Sequence, residues 1–215
     1  MKQLIEWIRH KRFRRNIRQW FRDRGDENLR LDYPLNASSV VFDVGGFEGD
    51  FAAAIHDRYD CEVHVFEPVP AFFDELRRRF AQNPKIVLHP FGLGGETESL
   101  LMSIEANGSS HVKADGAEKT ISAQIMSFED FIIQSGITRV DLMKINIEGA
   151  EFDLLDHMIQ HGRQAMIGDL QIQFHRFVRS ASSRRREIRR KLAETHDQTY
   201  NFYFVWENWR RKKAS

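Results

Sequence analysis

Two groups of residues in this 215-residue chain have types and spacings that could do chemistry. The first is Asp43-Val44-Gly45-Gly46-Phe47-Glu48-Gly49, which follows the apolar run Val40-Val41-Phe42. Glycines let a backbone turn sharply and let a ligand come close, because no Cβ stands in the way. The next apolar run, from Glu62 to Phe66, closes on Glu67-Pro68, which puts the Glu67 carboxylate 24 positions after Asp43. A tight turn after one strand and an acid after the next is the layout of a nucleotide-type cofactor site, with the acid on the ribose hydroxyls. Asp43, Gly45, Gly46, Gly49, Glu67 and Pro68 are therefore the candidate cofactor residues. The second group is suited to moving a proton. His175 follows Gln171-Ile172-Gln173-Phe174, the expected carboxyl end of a strand, and histidine titrates nearest to neutral pH. Period-two alternation puts Lys144, Asn146 and Glu148 on one side of an extended chain. Plainer readings stand beside these: Asp43 as an acid bonding turn amides, His175 as a strand cap, and Lys144 with Glu148 as a pair orienting a loop.

A dinucleotide fingerprint would need glycines at 44, 46 and 49, and Val44 breaks it. The turn resembles instead motif I of S-adenosylmethionine-dependent methyltransferases, where the glycines meet the methionine part of the cofactor. Further segments extend the likeness. VFDVGGFEGDF, VHVFEPVPAFFDEL, Asn107-Gly108-Ser109-Ser110, SFEDFI and DLMKINIEGAEFDLL stand in the order found in FkbM-type methyltransferases, over roughly residues 39–175. This resemblance implies S-adenosyl-L-methionine as cofactor and methylation of an oxygen, often a hydroxyl of a sugar or natural product. It places Asp43, Gly45 and Gly49 in the cofactor turn, Glu67 on the ribose, and Glu148, Gly149 and Glu151 in the fourth-strand motif. Ser109 and Ser110 become candidate substrate-binding residues, with an ordinary polar loop as the alternative. Two departures stand out. Gly46-Phe47 replaces the family's Ala-Asn, and Asn146 stands where the family has Asp. An Asn can accept a hydrogen bond from a hydroxyl but cannot act as a base near neutral pH. Methyl transfer to a hydroxyl needs alignment with the methyl carbon and removal of a proton. His175 is the candidate base, with Glu148, Lys144 and Asn146 as the other candidate catalytic residues.

The elements that must position these groups alternate along the chain. Strands are expected near 39–44, 62–67, 86–91, 98–104, 120–126, 141–147, 166–174 and 200–206, and helices near 48–58, 70–82, 127–135, 149–160 and 183–195. Several strands are almost continuously apolar, as central parallel strands covered on both faces should be. The expected fold class is α/β: a doubly wound, Rossmann-like methyltransferase sheet, mostly parallel, with an antiparallel closing strand at Tyr200–Trp206. Residues 1–25 are expected to form a basic amphipathic helical extension and 26–215 a single domain. Residues 105–119 read as the longest loop and a candidate active-site flap. Arg210-Arg211-Lys212-Lys213 reads as a frayed tail.

A formal net charge of +1 hides a strong asymmetry. Residues 1–24 carry nine Lys/Arg and two acids, for +7; residues 176–215 carry twelve and four, for +8; the middle, with eleven and twenty-five, is at −14. The basic ends point to an anionic partner. Leu4, Ile5, Trp7, Ile8, Phe13, Ile17, Trp20 and Phe21 form an imperfect stripe on the first helix, which either covers the core or lies on a membrane surface. No run is long enough to span a bilayer, no secretory signal is evident, and the lone Cys61 fits a reducing compartment. A cytoplasmic protein, peripheral to an anionic membrane or glycolipid through its basic ends, is expected. His89, His111, His157 and His161 show no metal-ligand spacing, so no metal is expected. An S-adenosylmethionine-dependent O-methyltransferase acting on a saccharide, glycolipid or natural-product hydroxyl is the leading reading. An RNA methyltransferase and a non-catalytic module with the same fold are the alternatives. The RNA reading is weakened because Lys144-Ile145-Asn146-Ile147-Glu148 has no N-P-P-Y-like element.

Overall fold

Helix α1 (Lys2–Arg22) and a short α2 (Gly25–Asn28) lead into β1 (Val40–Val44), α3 (Asp50–Tyr59), β2 (Glu62–Phe66), α4 (Pro70–Arg79) and β3 (Ile86–His89). Strands β4 (Gly92–Gly94), β5 (Glu98–Glu105), β6 (Gly108–Ser110) and β7 (Thr120–Ser127) follow, then α5 (Phe128–Ser135), β8 (Val140–Ile145) and α6 (Glu151–Gln160). The chain ends with β9 (Ile167–Ile172), α7 (Ala181–Thr195), β10 (His196–Phe202) and β11 (Trp206–Arg211). The computed structural model describes residues 2–105, 108–110 and 120–213.

Seven strands form the central sheet in the order β10-β11-β9-β8-β1-β2-β3. The five from β9 to β3 run parallel, while β11 lies antiparallel to both β9 and β10. β1, β2, β8 and β9 are buried on both faces, which explains their largely apolar character. On one face Phe128 and Phe131 of α5, Phe152 and Leu155 of α6, and Ile188 of α7 close the larger core. On the other, Ala52 and Ile55 of α3 and Leu76 of α4 pack against Val41, Val63 and Val65. Truncating a buried aromatic such as Phe152 to Ala would cost about 3–5 kcal/mol. Local signals set the helix ends: Pro70 opens α4, and the Ser127 side chain accepts the amide of Asp130 at the start of α5. The doubly wound, mostly parallel sheet with an antiparallel closing strand is thus as expected.

Three expectations need correction. The closing strand is a hairpin, not one strand at Tyr200–Trp206: β10 turns through Tyr203-Phe204-Val205 into β11. Arg210-Arg211 is not a frayed tail but the end of β11, where Arg210 pairs with the buried Asp169. The stretch 105–119 is not simply a loop, because Gly108–Ser110 pairs with β5 in a second, four-stranded sheet ordered β4-β7-β5-β6. Asn107 and residues 111–119, including His111, lie outside the described residues.

Helix α1 packs across this hairpin. Trp20 is buried edge-on against Phe202, Asn16 accepts the amide of Tyr203, and the Arg12 guanidinium sits over the Tyr203 ring. Phe13 and Ile17 of the apolar stripe pack beside Trp20 against the hairpin. Trp7, Ile8 and Phe21 remain exposed.

Candidate active site

The carboxyl ends of β1, β2, β8 and β9 gather the expected residues into two separate clusters. The first is built around the turn after β1. Gly45 and Gly46 both donate to the carbonyl of Phe66, which pins the turn to the end of β2. Gly45 has a φ of +89°, and a Cβ there would collide with the carbonyl oxygen of Asn146. Gly49 caps α3 in the left-handed region. Asp43 is fully buried and does not bond turn amides. Its Oδ1 accepts from Lys144 Nζ at 2.8 Å, and the same ammonium donates to the Gly45 carbonyl at 2.7 Å. Burial pushes the Lys144 pKa down, and the Asp43 carboxylate pulls it back up.

Glu67 faces the turn from the end of β2. Its Oε2 accepts the amide of Phe47 at 2.8 Å and its Oε1 the amide of Val69 at 2.9 Å. Burial raises its pKa, opposed by these two amides and by Lys144. Each carboxylate oxygen keeps a further lone pair for an outside donor.

The second cluster surrounds His175. Glu151, wholly buried at the first turn of α6, accepts the Gly149 amide at 2.7 Å, the His175 amide at 2.7 Å, and faces His175 Nδ1 at 3.2 Å. Glu148 Oε2 stands 3.5 Å from His175 Nε2. Burial alone would lower the histidine pKa, but the carboxylates of Glu148 and Glu151 outweigh it and raise it to about 9. His175 is therefore a cation at neutral pH, not the near-neutral base anticipated from its type. Glu151, which becomes the hub of this cluster, was not among the candidate catalytic residues; the Glu148-Gly149-Ala150-Glu151 spacing was the signal for it.

Lys144, Asn146 and Glu148 do not converge on one side. β8 ends at Ile145, and Glu148 takes a φ of +48°, so the alternation stops before it can align them. Lys144 belongs to the turn cluster and Glu148 to the histidine cluster. Asn146 lies between, its amide donating to Val44 and its buried Oδ1 without a partner among the described residues. A cavity of about 880 Å³ opens between this rim and the second sheet, walled by Phe66, Pro68, Leu93, Ile125, Glu148 and Phe177. For Ser109 and Ser110 the structure describes the backbone alone, as strand β6 against β5. Among the described residues, no group of three or more His, Cys, Asp or Glu could hold a metal ion.

The cluster around the turn fits the cofactor that the sequence resemblance implies. Asp43 Oδ2 and Asn146 Oδ1 are buried acceptors with no partner among the described residues, beside a turn where the donors of an amino group would satisfy them. Glu67 offers its remaining lone pairs to vicinal hydroxyls, and the exposed Phe47, edge-on to Phe72 at 4.7 Å, offers an aromatic face beside them.

Comparison with known proteins agrees in kind. The methyltransferase FkbM domain matches residues 42–203. Methyltransferase 1 of Beauveria bassiana (strain ARSEF 2860) is 26% identical over 149 residues, 57% of this chain and 59% of that protein. The match thus spans about three fifths of the relative's length. Among solved structures, the fibrillarin pre-rRNA processing protein of Methanococcus jannaschii aligns with 84% of this chain and 69% of its own, with a TM-score of 0.51 and 12% identity. A candidate rRNA methylase of Clostridium thermocellum aligns with 90% and 96%, with a TM-score of 0.57 and 6% identity. At these identities the likeness is one of fold.

Proposed function

The chain belongs to the FkbM methyltransferase family and uses S-adenosyl-L-methionine, and from that premise we propose that its acceptor atom is a hydroxyl oxygen of a saccharide, glycolipid or natural product. The observation that carries this reading is the Glu148–His175–Glu151 arrangement at the rim of the large cavity. When bound, the cofactor supplies a methyl carbon activated by its sulfonium. The chain must then align the acceptor oxygen and take its proton. Glu148 is the carboxylate of this group that lines the cavity. The charged His175 holds Glu148 from behind, and the buried Glu151 fixes His175 through its amide and its ring. As the oxygen bonded to that carbon and the carbon–sulfur bond broke to release S-adenosylhomocysteine, its proton would become far more acidic, so a carboxylate would be base enough. Glu148 is thus assigned the proton and His175 the positioning of Glu148. Asn146 Oδ1 is an acceptor near the turn, without a base's role.

The test is transfer of labelled methyl from S-adenosyl-L-methionine to saccharide and glycolipid fractions, comparing the intact chain with E148Q. The expected product is an alkali-stable methyl ether. E148Q should lose about 10²-fold or more in rate while binding cofactor as the wild type does. Label found in RNA, on nitrogen or in an alkali-labile ester would overturn the hydroxyl assignment.

A peripheral membrane position is favoured by a separate observation. Trp7 and Ile8 are exposed on α1 among Arg9, Lys11, Arg12 and Arg14, as on helices that lie in a lipid interface. No helix among the described residues is long and apolar enough to cross a membrane. Flotation with phosphatidylserine-containing vesicles should recover the intact chain and lose a W7S/I8S variant, whose buried Trp20 anchor is untouched. Equal recovery of the two would remove this assignment.

A further inference from the structure

The two basic ends of the chain, far apart in sequence, meet at one place. Arg9 of α1, Arg176, and Arg186, Ser182 and Ser183 of α7 converge on a polar pocket of about 350 Å³ bounded by Tyr203. Most other arginines of α7 are already matched. Arg184 pairs with Asp153 and Asp156, Arg185 with Glu207 and Asn201, and Arg190 with Glu187 and Glu194. Arg176 and Arg186 have no carboxylate partner among the described residues. The Arg176 guanidinium sits over the Phe13 ring, 4.7 Å from its centroid, which holds it at the pocket. The first amides of α7 are largely spent on Val178 and Ser180 carbonyls, so the guanidinium groups and hydroxyls, not the helix terminus, supply the attraction. Val178 lines both this pocket and the large cavity beside Glu148.

We propose that this pocket binds a phosphate group of the acceptor, so that the hydroxyl methylated next door belongs to a phosphorylated substrate. The inference rests on the hydroxyl-acceptor reading above and narrows it. The middle of the chain carries −14 and would repel an anionic acceptor; a local cluster of guanidinium forks reverses that field where the substrate enters. The pocket is compact, whereas proteins that bind a nucleic-acid strand track its backbone along an extended groove.

The experiment is a calorimetric titration of inorganic phosphate into the full chain at constant ionic strength, with R186Q and R176Q/R186Q alongside. Wild type should bind phosphate saturably and the double variant at least tenfold more weakly. R186Q, which removes an exposed side chain away from the core, should lie between them and guards against a folding defect in the double variant. Affinity for S-adenosyl-L-methionine should be the same in all three. Displacement of phosphate by glucose 1-phosphate would place the group on a soluble acceptor, and displacement only by phosphatidic acid vesicles would place it on a lipid; either supports the site. No saturable phosphate binding, equal affinity across the variants, or Arg186-dependent binding of oligouridylate RNA without sugar-phosphate binding would overturn it. Since no turnover is read, failure here leaves the hydroxyl assignment standing, and failure of methyl transfer leaves this result standing.

Discussion

Lys144 Nζ lies 2.8 Å from Asp43 Oδ1 and 2.7 Å from the carbonyl oxygen of Gly45, so one buried cation ties β1, β8 and the glycine turn together. The two residues are direct partners in the parallel register of these strands, which makes the contact a consequence of the sheet itself. Removing one member of a buried pair leaves an uncompensated charge, at a cost of about 3–5 kcal/mol. K144M should show that loss in urea unfolding, and D43N/K144M should recover part of it, because the stranded carboxylate is gone. A K144M protein as stable as wild type would mean that the pair contributes nothing.

Gly45 and Gly136 offer a matched comparison. Both have positive φ, +89° and +68°, but a Cβ at Gly45 collides with backbone of Asn146 while one at Gly136 meets nothing within 4 Å. The left-handed penalty alone is about 1–2 kcal/mol, and G136A should cost that much with cofactor affinity unchanged. G45A should cost more and also weaken S-adenosyl-L-methionine binding, since the turn must move away from Asn146. Thermal melts and calorimetric titration of the two variants separate these outcomes. Equal losses in both would show that crowding at Gly45 is relieved without effect.

Much of this architecture was legible because its signals are local. Four largely apolar strands, the glycine turn after Asp43 and the acid after β2 each occupy a few consecutive residues. The hairpin was not legible. Its turn, Tyr203-Phe204-Val205, contains no Gly, Pro or Asn, and Phe204 takes a φ of +54° that its type does not announce. Glu207 and Asn208 look like solvent residues but are buried in β11, matched by Arg185 and Asp169 from distant positions. Partners so far apart leave no periodic trace. The same limit applies at the site. Alternation aligned Lys144 with Glu148 on paper, and the left-handed Glu148 separated them in space.

His175 should give the protein a pH dependence of definite sign. Its pKa is raised from the ordinary 6.5 to about 9: burial opposes the charge, but Glu148 and Glu151 more than offset that. A group raised on folding contributes its full stability below its unfolded pKa and loses it as pH climbs through the folded value. The stability difference between wild type and H175Q should therefore be constant below about pH 6 and shrink by up to roughly 3 kcal/mol by pH 10. Urea unfolding of both proteins at pH 6, 8 and 10 measures it. A difference flat across that range would mean that His175 is not held as a cation.

Glu67 separates a structural from a binding role by its two faces. Inward, it accepts the amides of Phe47 and Val69; outward, it is assigned the ribose hydroxyls. E67Q keeps one acceptor oxygen, so one amide loses its partner at about 1–3 kcal/mol, partly offset because the buried carboxylate no longer has to stay charged. Stability should thus fall modestly, while affinity for S-adenosyl-L-methionine should drop about tenfold or more, roughly 1.4 kcal/mol. The deciding measurement uses a 2′-deoxy analogue of the cofactor. A site built to bond a hydroxyl rejects the ligand that lacks it, so wild type should discriminate strongly and E67Q hardly at all. If both proteins discriminate equally, Glu67 holds the turn and nothing else, and the ribose must be gripped by another group.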